Sequence, residues 1–588
     1  MFVAEDSLRI RIVEMVKANE GAMADVLCER DVPVKMRDGT VLSCDVWRPK
    51  SGEKVPALLQ RQPYDKRLAQ AYVYAHPAWY ARQGYGVVVQ DSRGRGSSEG
   101  DFYPLRGDGK DGFDTIAWCA EQPWCSGKVA SFGFSLPGLN QLLAAAEKPP
   151  ALVTAIPGFY PQGMYDGLTH VGGAFGLAAV LDWALLLASD AARRANRPDL
   201  LEDIRHAAGC GGAAPTLALK DIPFLVEPDL MPFLKDYLEH PSFDAYWQEF
   251  EIGERFNQIG VPCLHLSGWY DSFVTQTMHA YERFTSETQS EHRLLVGPWY
   301  HIPWTQQVGA VDFGDAARNM ADEYQLAWLD AWTKGRREAL DALPRVKVFV
   351  TGSNTWHDAD HWPLPGVTTQ TWYLHSAGRA NSLSGNGVLN LEEPGAIEPA
   401  DYFFYNPTAP VQSIGGHSCC YPEAAPMGPM DQRNVEVRND VLIYSSPPLE
   451  QSVWVAGIVK AHLFAASSAR DTDWVVKLCD VSPDGRSLNI QEGVIRARFR
   501  NGFDQPSLIE PDSIYEYTIE VGACCHRFEA GHRIRLQVTS SNFPGIDRNP
   551  NTGGPIGMEA PFEWIPASQT VFHDATHPSS VSLPIMPT

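Results

Sequence analysis

From Val32 to about Ala155, short apolar runs that read as strands alternate with helical patterns. "TVLSCDVWRP", "VPALLQRQPY" and "GYGVVVQDSRG" are followed by "DGFDTIAWCAEQPW" and then by "GKVASFGFS". Runs such as Val87–Val89, bounded by glycine and apolar at consecutive positions, have the pattern of parallel strands buried on both faces. Such strands need helices over both sides of the sheet, so an α/β fold is expected.

The pattern turns helical between about Gly158 and Phe256, in "AFGLAAVLDWALLLASDAARRAN", "DLLEDIRHAAG" and "HPSFDAYWQEF", without convincing strands. It returns to β/α in "GVPCLHLSGWYD", "RLLVGPWYH" and the helix "GDAARNMADEYQLAWLDAWTKG", where Asp315 is a plausible N-cap and Gly335 a stop. Beyond Pro344, short alternating strands separated by Gly, Pro, Asn and Asp predict a β-sandwich of the jelly-roll type. A chain of 588 residues exceeds what one core usually serves. The expected division is an α/β-hydrolase core in two parts (1–157 and 257–343), a helical cap inserted at 158–256, and a jelly-roll-like domain over 344–588.

Composition excludes several classes. A net charge of −23 argues against a nucleic-acid partner, which needs a basic stripe to displace counterions from phosphate. The first residues mix charges with apolar side chains and show no signal-peptide pattern. The longest apolar stretch, Gly172–Ala188, is short for a membrane span and is interrupted by Asp182. Eleven cysteines without framework spacing fit reduced thiols in a cytoplasm. Neither "WCAEQPWC" nor the doublets Cys419-Cys420 and Cys524-Cys525 have zinc-ribbon spacing, and HExxH, EF-hand and Walker A patterns are missing. No metal and no cofactor are expected.

The stretch "KVASFGFSLPG" sets Ser135 between an apolar run and the helical pattern "LNQLLAAAE". Strand, turn, helix is the context of a nucleophile elbow, and Gly133 would let the turn close. Pro137 stands where G-x-S-x-G has its second glycine, but proline suits the first turn of a helix, and Gly138 can supply close packing. A helix starting there would aim its dipole and the Leu136 N–H at a developing oxyanion. The alternative is a serine cap in a loop. A nucleophilic serine also needs a base and an acid to orient it, in chain order Ser, Asp or Glu, His in α/β-hydrolases. Asp271 in "HLSGWYDSF" and His301 in "LLVGPWYH" each follow directly on a strand-like run. "GRGSSEG" after "VVVQD" faintly resembles a dinucleotide fingerprint but lacks the third glycine, and reads as a tight loop near the active-site edge.

With those residues placed, the chain resembles the CocE/NonD hydrolases, which include cocaine-esterase-like enzymes and α-amino-acid ester hydrolases and are related to Xaa-Pro dipeptidyl-peptidases. The strings "RQPYDKR", "VVVQDSRGRGSSEGDF", "GKVASFGFSLPG", "GWYDSF", "GPWYH" and "SSNFPGIDRNPNTG" carry the resemblance in order over nearly the whole chain. It implies the triad Ser135, Asp271 and His301, and an oxyanion hole of the Tyr64 hydroxyl and the Leu136 N–H. It also implies that Trp183 and Phe273 line the substrate pocket. The family usually has a tyrosine after the nucleophile; here Leu136 keeps the backbone donor and loses the ring.

The expected activity is hydrolysis of a small-molecule ester or amide through an acyl-enzyme. The alternatives are an acylase or Xaa-Pro-type dipeptidyl-peptidase using the same triad, and, remotely, a non-catalytic binding protein. The expected partner is the substrate alone, with no nucleic acid and no membrane, and with a homo-oligomer left open.

Overall fold

The computed structural model describes residues 25–67, 73–200, 218–221, 231–419 and 427–587. The first residues, Cys210, Cys420 and the expected helix "DLLEDIRHAAG" from residue 201 onward lie outside them.

The α/β core is a ten-stranded sheet. Its strands are β1 (Val26–Lys35), β2 (Val41–Pro49), β3 (Val55–Gln62), β4 (Gly86–Asp91), β5 (Cys125–Phe134), β6 (Leu152–Gly158), β7 (Cys263–Tyr270), β8 (His292–Tyr300), β9 (Val346–Val350) and β10 (Thr355–Ala359). They lie in the order β1-β2-β4-β3-β5-β6-β7-β8-β9-β10. The stretch from β4 to β9 is parallel, and β1, β2 and β10 join antiparallel. Every residue of β3, β4 and β7 is buried, as the unbroken apolar runs require.

Helices α1 (Asp108–Glu121) and α2 (Leu136–Ala146) follow the sequence pattern. They approach so closely that a Cβ on Gly112 would meet the Ala144 Cβ at 2.4 Å. The inserted segment carries α3 (Leu177–Arg194), but "HPSFDAYWQEF" yields only the short helix Ala245–Gln248. The segment also holds a hairpin that the sequence does not announce: His170–Val171 pairs with Ala174–Phe175 around Gly172 and Gly173, both at positive φ. Its tip presses on the β domain, where a Cβ on Gly172 would sit 1.8 Å from the Val494 carbonyl oxygen.

Between β7 and β8 runs α4 (Val274–Glu287), and after β8 comes α5 (Ala321–Thr333). Asp315 does not cap α5. It opens a separate 3-10 turn, Asp315–Ala317, and the helix starts only where Asn319 Oδ1 accepts from the Ala321 N–H at 2.9 Å. Gly335, at φ 76°, lies just past the C-cap Lys334 as expected.

The C-terminal part is β-rich. Its long strand Val453–Ser467 pairs with Tyr515–Phe528 on one side and, along successive segments of the other, with Ser580–Met586 and Ala567–Phe572. Trp474, Leu536, Val538 and Ile519 fill a core of its own. A buried ionic cluster joins it to the insertion. Arg496 donates to Asp473 at 2.8 and 2.9 Å and to Asp547 at 2.7 Å, and Asp547 Oδ1 accepts from the Phe175 N–H at 2.8 Å.

Candidate active site

The sequence-expected residues collect at one edge of the sheet because each follows the carboxyl end of a parallel strand. Ser135 comes after β5, Asp271 after β7, His301 after β8, and Tyr64 two residues beyond β3. Open α/β sheets bind ligands along this edge.

Ser135 has φ 66° and ψ −134°, a region costly for any residue with a Cβ, and its side chain makes no capping hydrogen bond. A loop cap would need neither feature. The turn is held from several sides. The Ser135 N–H donates to the carbonyls of Gly158 (2.9 Å) and Phe159 (3.1 Å), while its own carbonyl accepts from the Gly138 and Leu139 N–H groups. Gly133, at φ 154°, leaves the space in which a Cβ would meet Pro137 Cβ at 2.7 Å. At Gly138 a Cβ would lie 2.6 Å from the Gly158 carbonyl oxygen. Pro137 in place of glycine therefore fills a gap that Gly133 provides.

A residue that sequence reasoning missed completes the brace. Gln141, buried on α2, donates from Nε2 to the carbonyls of Gly133 (3.2 Å), Pro137 (2.9 Å) and Ile156 (3.1 Å). Its Oε1 accepts from the Ser131 hydroxyl (3.1 Å) and the Ile156 N–H (3.0 Å). The available signal was a glutamine inside an otherwise apolar helical run, since a buried amide must find partners.

His301 and Asp271 are buried, and the His301 Nδ1–H donates to Asp271 Oδ1 across 2.7 Å. That bond fixes the tautomer and leaves Nε2 as the basic nitrogen. Three aromatic rings surround the imidazole: Phe273 edge-on at 5.2 Å, Phe134 at 5.6 Å and Phe159 at 6.4 Å between centroids. The β domain reaches the same place. Ser418 forms a parallel bridge with Asp271, and His417 Nε2 lies 3.0 Å from the Trp269 carbonyl oxygen, which accepts its hydrogen bond.

Tyr64 and Trp183, from β3's loop and α3, are brought together: the Trp183 indole N–H donates to the Tyr64 hydroxyl oxygen at 3.1 Å. Arg95, in the "GRGSSEG" loop, ties the two elements further. It is buried and donates to the carbonyls of Pro63 (2.7 Å) and Leu187 (2.9 Å), with Asp190 at 3.4 Å. Desolvation pulls its guanidinium down to about 10, against the attraction of Asp190. The loop reading of this stretch stands, and its arginine is a clamp that no motif indicated.

A cavity of about 260 Å³ borders Asp271 and Ser272 and is lined by Asp166, His417, Glu492 and Glu520. Asp166 accepts from Gln276 Nε2 at 2.8 Å, and burial together with the Glu520 charge pushes its carboxyl up to about 6. Glu520 and Glu492 are matched by His279 (3.0 Å) and Lys477 (2.9 Å).

Known proteins share this architecture. Residues 38–303 match the X-Pro dipeptidyl-peptidase (S15 family) model, and residues 338–582 match the X-Pro dipeptidyl-peptidase C-terminal non-catalytic domain. The chain is 38% identical to a cocaine esterase of Rhodococcus sp. over 95% of its own length and 98% of that protein's. Among solved structures, an aminopeptidase from a marine sediment archaeon of the Thaumarchaeota aligns with a TM-score of 0.80 at 26% identity. That alignment covers 96% of this chain and 97% of the other. An α-amino acid ester hydrolase aligns at 0.79 and 26% identity, covering 95% and 97%.

Proposed function

We propose, for a chain that belongs to the CocE/NonD hydrolase family, that Ser135, His301 and Asp271 form the triad that cleaves a small-molecule ester with an apolar acyl group. That the chain is a serine hydrolase acting on ester or amide bonds follows from its relatives; the residues and the substrate are our reading. The observation that carries it is the strained backbone at Ser135, on the same sheet edge as a buried His301–Asp271 pair bonded at 2.7 Å. Strain of this kind is retained where it serves a purpose.

His301 Nε2 takes the proton of the Ser135 hydroxyl as Oγ attacks the substrate carbonyl carbon. The carbonyl π electrons move to oxygen, and the Tyr64 hydroxyl and Leu136 N–H donate to the resulting oxyanion. Collapse expels the alkoxide, which takes the proton from His301, and leaves an acyl-Ser135 ester. Water then enters, gives a proton to His301 and repeats the sequence, releasing the acid. The apolar acyl preference is supported by Phe273 and Trp183, which we assign to the pocket walls. Asp271 needs no proton of its own, since its task is to hold the imidazole.

We propose the division core 1–157 and 257–343, cap 158–256 and β domain 344–588; the two large sheets support the split between core and β domain, although the core sheet runs on through β9 and β10 to Ala359 and the cap packs into the core's own cluster. A cytoplasmic setting is supported by nine free cysteines among the described residues. No helix among those residues is long and apolar enough to cross a membrane.

The test is labelling with a fluorophosphonate, located by peptide mass spectrometry, beside turnover of a p-nitrophenyl acyl series. Modification at Ser135 and loss of turnover in Ser135→Ala are expected. Turnover that survives the substitution would overturn the assignment.

A second reading, an amide substrate carrying a free amine, is favoured by Asp166, which lines the cavity that also borders Asp271. It expects faster cleavage of aminoacyl p-nitroanilides than of N-acetylated ones, with the preference lost in Asp166→Asn.

A further inference from the structure

Below the sheet edge that carries the triad, three side chains that the hydrolytic chemistry does not use converge. Cys263 and His265 stand two residues apart on β7 and so face the same side of the sheet. His292 opens β8 and pairs with Cys263 in the parallel register. One ligand atom from each, a thiol sulfur and two imidazole nitrogens, lies within 4.8 Å of the other two. All three side chains are buried.

The imidazoles are held as metal ligands usually are, by a hydrogen bond at the other nitrogen. The Tyr160 hydroxyl binds His265 Nδ1 at 2.8 Å, and the Thr288 hydroxyl binds His292 Nε2 at 2.8 Å. The remaining nitrogens, His265 Nε2 and His292 Nδ1, are buried without a hydrogen-bond partner. Buried polar atoms of this kind are costly in a native core, and two in adjoining rings call for a reason. With Nδ1–H of His265 and Nε2–H of His292 donating to the hydroxyls, the orphan atoms carry lone pairs. Phe284 lies tilted at 5.0 Å from each ring and Tyr281 edges His265 at 5.4 Å, which closes the place against water.

We infer that Cys263, His265 and His292 bind a thiophilic d10 cation, Cu⁺ or Zn²⁺, between the feet of β7 and β8. On binding, the Cys263 thiol loses its proton to solvent and a sulfur–metal bond forms, while the two imidazoles give lone pairs without losing protons. Bonds of about 2.0 to 2.3 Å place the three donors roughly 3.5 Å apart, so the side chains need to close by about 1 Å. One thiolate balances one positive charge, which favours Cu⁺ in a trigonal site. Zn²⁺ would leave a net charge in a dry core and ask for a fourth donor. Eight residues of strand separate Cys263 from Asp271, roughly 26 Å, so the ion's part is to fasten two strands and not to join the reaction.

The experiment uses the full-length chain refolded from urea with Cu⁺, Zn²⁺ or Co²⁺, because a closed site fills during folding. One equivalent of bound metal per chain, a thiolate-to-Co²⁺ charge-transfer band, and an X-ray absorption shell of one sulfur and two nitrogens are expected. A Cu⁺ affinity above that for Zn²⁺ supports the trigonal form, and the reverse order assigns the site to Zn²⁺. Cys263→Ser should remove the charge-transfer band, and His292→Gln should weaken binding by at least tenfold. Esterase turnover per folded molecule should be the same with and without metal. Substoichiometric metal after refolding, or a Co²⁺ spectrum without a thiolate band in the unmutated chain, would overturn the inference whether or not a variant folds.

Discussion

The indole N–H of Trp183 donates to the hydroxyl oxygen of Tyr64 across 3.1 Å, so a residue of the insertion sets the direction of a phenol on the core. With that lone pair engaged, the phenolic hydrogen can turn away from Trp183, and in the mechanism we propose it serves the oxyanion. Tyr64→Phe should lower kcat by about 10² to 10³, the usual loss for one oxyanion donor, with little change in KM. Trp183→Phe keeps an aromatic side chain but loses the orienting N–H and part of the ring's bulk, and a smaller fall in kcat is expected. Steady-state kinetics on one p-nitrophenyl ester decides both, and a raised KM with kcat unchanged would place Tyr64 in ground-state binding instead.

Asp271→Asn keeps the shape and removes the charge that holds His301 Nδ1–H. The asparagine amide would donate to Nδ1, moving the imidazole proton to Nε2, where it cannot accept from Ser135. A loss of about 10⁴ in kcat is expected, with labelling of Ser135 slowed in parallel. Raising the pH should restore part of the rate, as serine ionises without the base.

His170 makes stability depend on pH. It is buried against Tyr165 at a ring distance of 4.3 Å, and burial first, then the Arg496 charge, lowers it to about 3. The unfolded chain binds a proton there near pH 6.5, whereas the folded chain refuses it until about pH 3. The unfolded state holds more protons across that window, so stability falls as pH drops through it, by about 1.4 kcal/mol per pH unit for this group. Urea midpoints at pH 7 and pH 5 should separate less in His170→Phe than in the parent protein. Identical separations would mean that His170 titrates alike in both states.

Arg496 is expected to be the most sensitive ionic position between the insertion and the β domain. Arg496→Ala leaves Asp473 and Asp547 buried without their cation, and a loss of about 3 to 5 kcal/mol is expected in chemical denaturation. Arg496→Lys should recover only part, since an ammonium cannot serve both carboxylates with a planar fork. Asp547 also holds the Phe175 N–H just before α3, so a shifted Trp183 fluorescence should accompany the loss.

How much of this was legible depends on how local each signal is. Ser135, Asp271 and His301, the residues we propose as the triad, could be singled out because each stands directly after an apolar run, and those runs are strands that end at one edge of the sheet. Gln141 left only the weak signal of an amide in an apolar helical run, and Arg95 and the Asp547–Phe175 bond left none, since their partners lie on elements that only the finished topology brings near. Cys263, His265 and His292 fall between these cases. The first two are adjacent on one face of a strand, but the third joins them through the register of β7 with β8, which no spacing rule contains. Asp315 misled for a local reason. An acid before a periodic stretch resembles a cap, yet the turn at Gly314, φ 76°, sends the chain through a separate 3-10 turn before α5 begins.

Gln141 makes five hydrogen bonds from one side chain and links β5, β6 and the first turn of α2. Ser135 cannot relax to an easier backbone angle by itself, because those three elements would have to part together. Its readiness is thus inherited from the folded state as a whole. Amide protons around Ser135 belong among the slowest to exchange with deuterium, opening only when the domain unfolds.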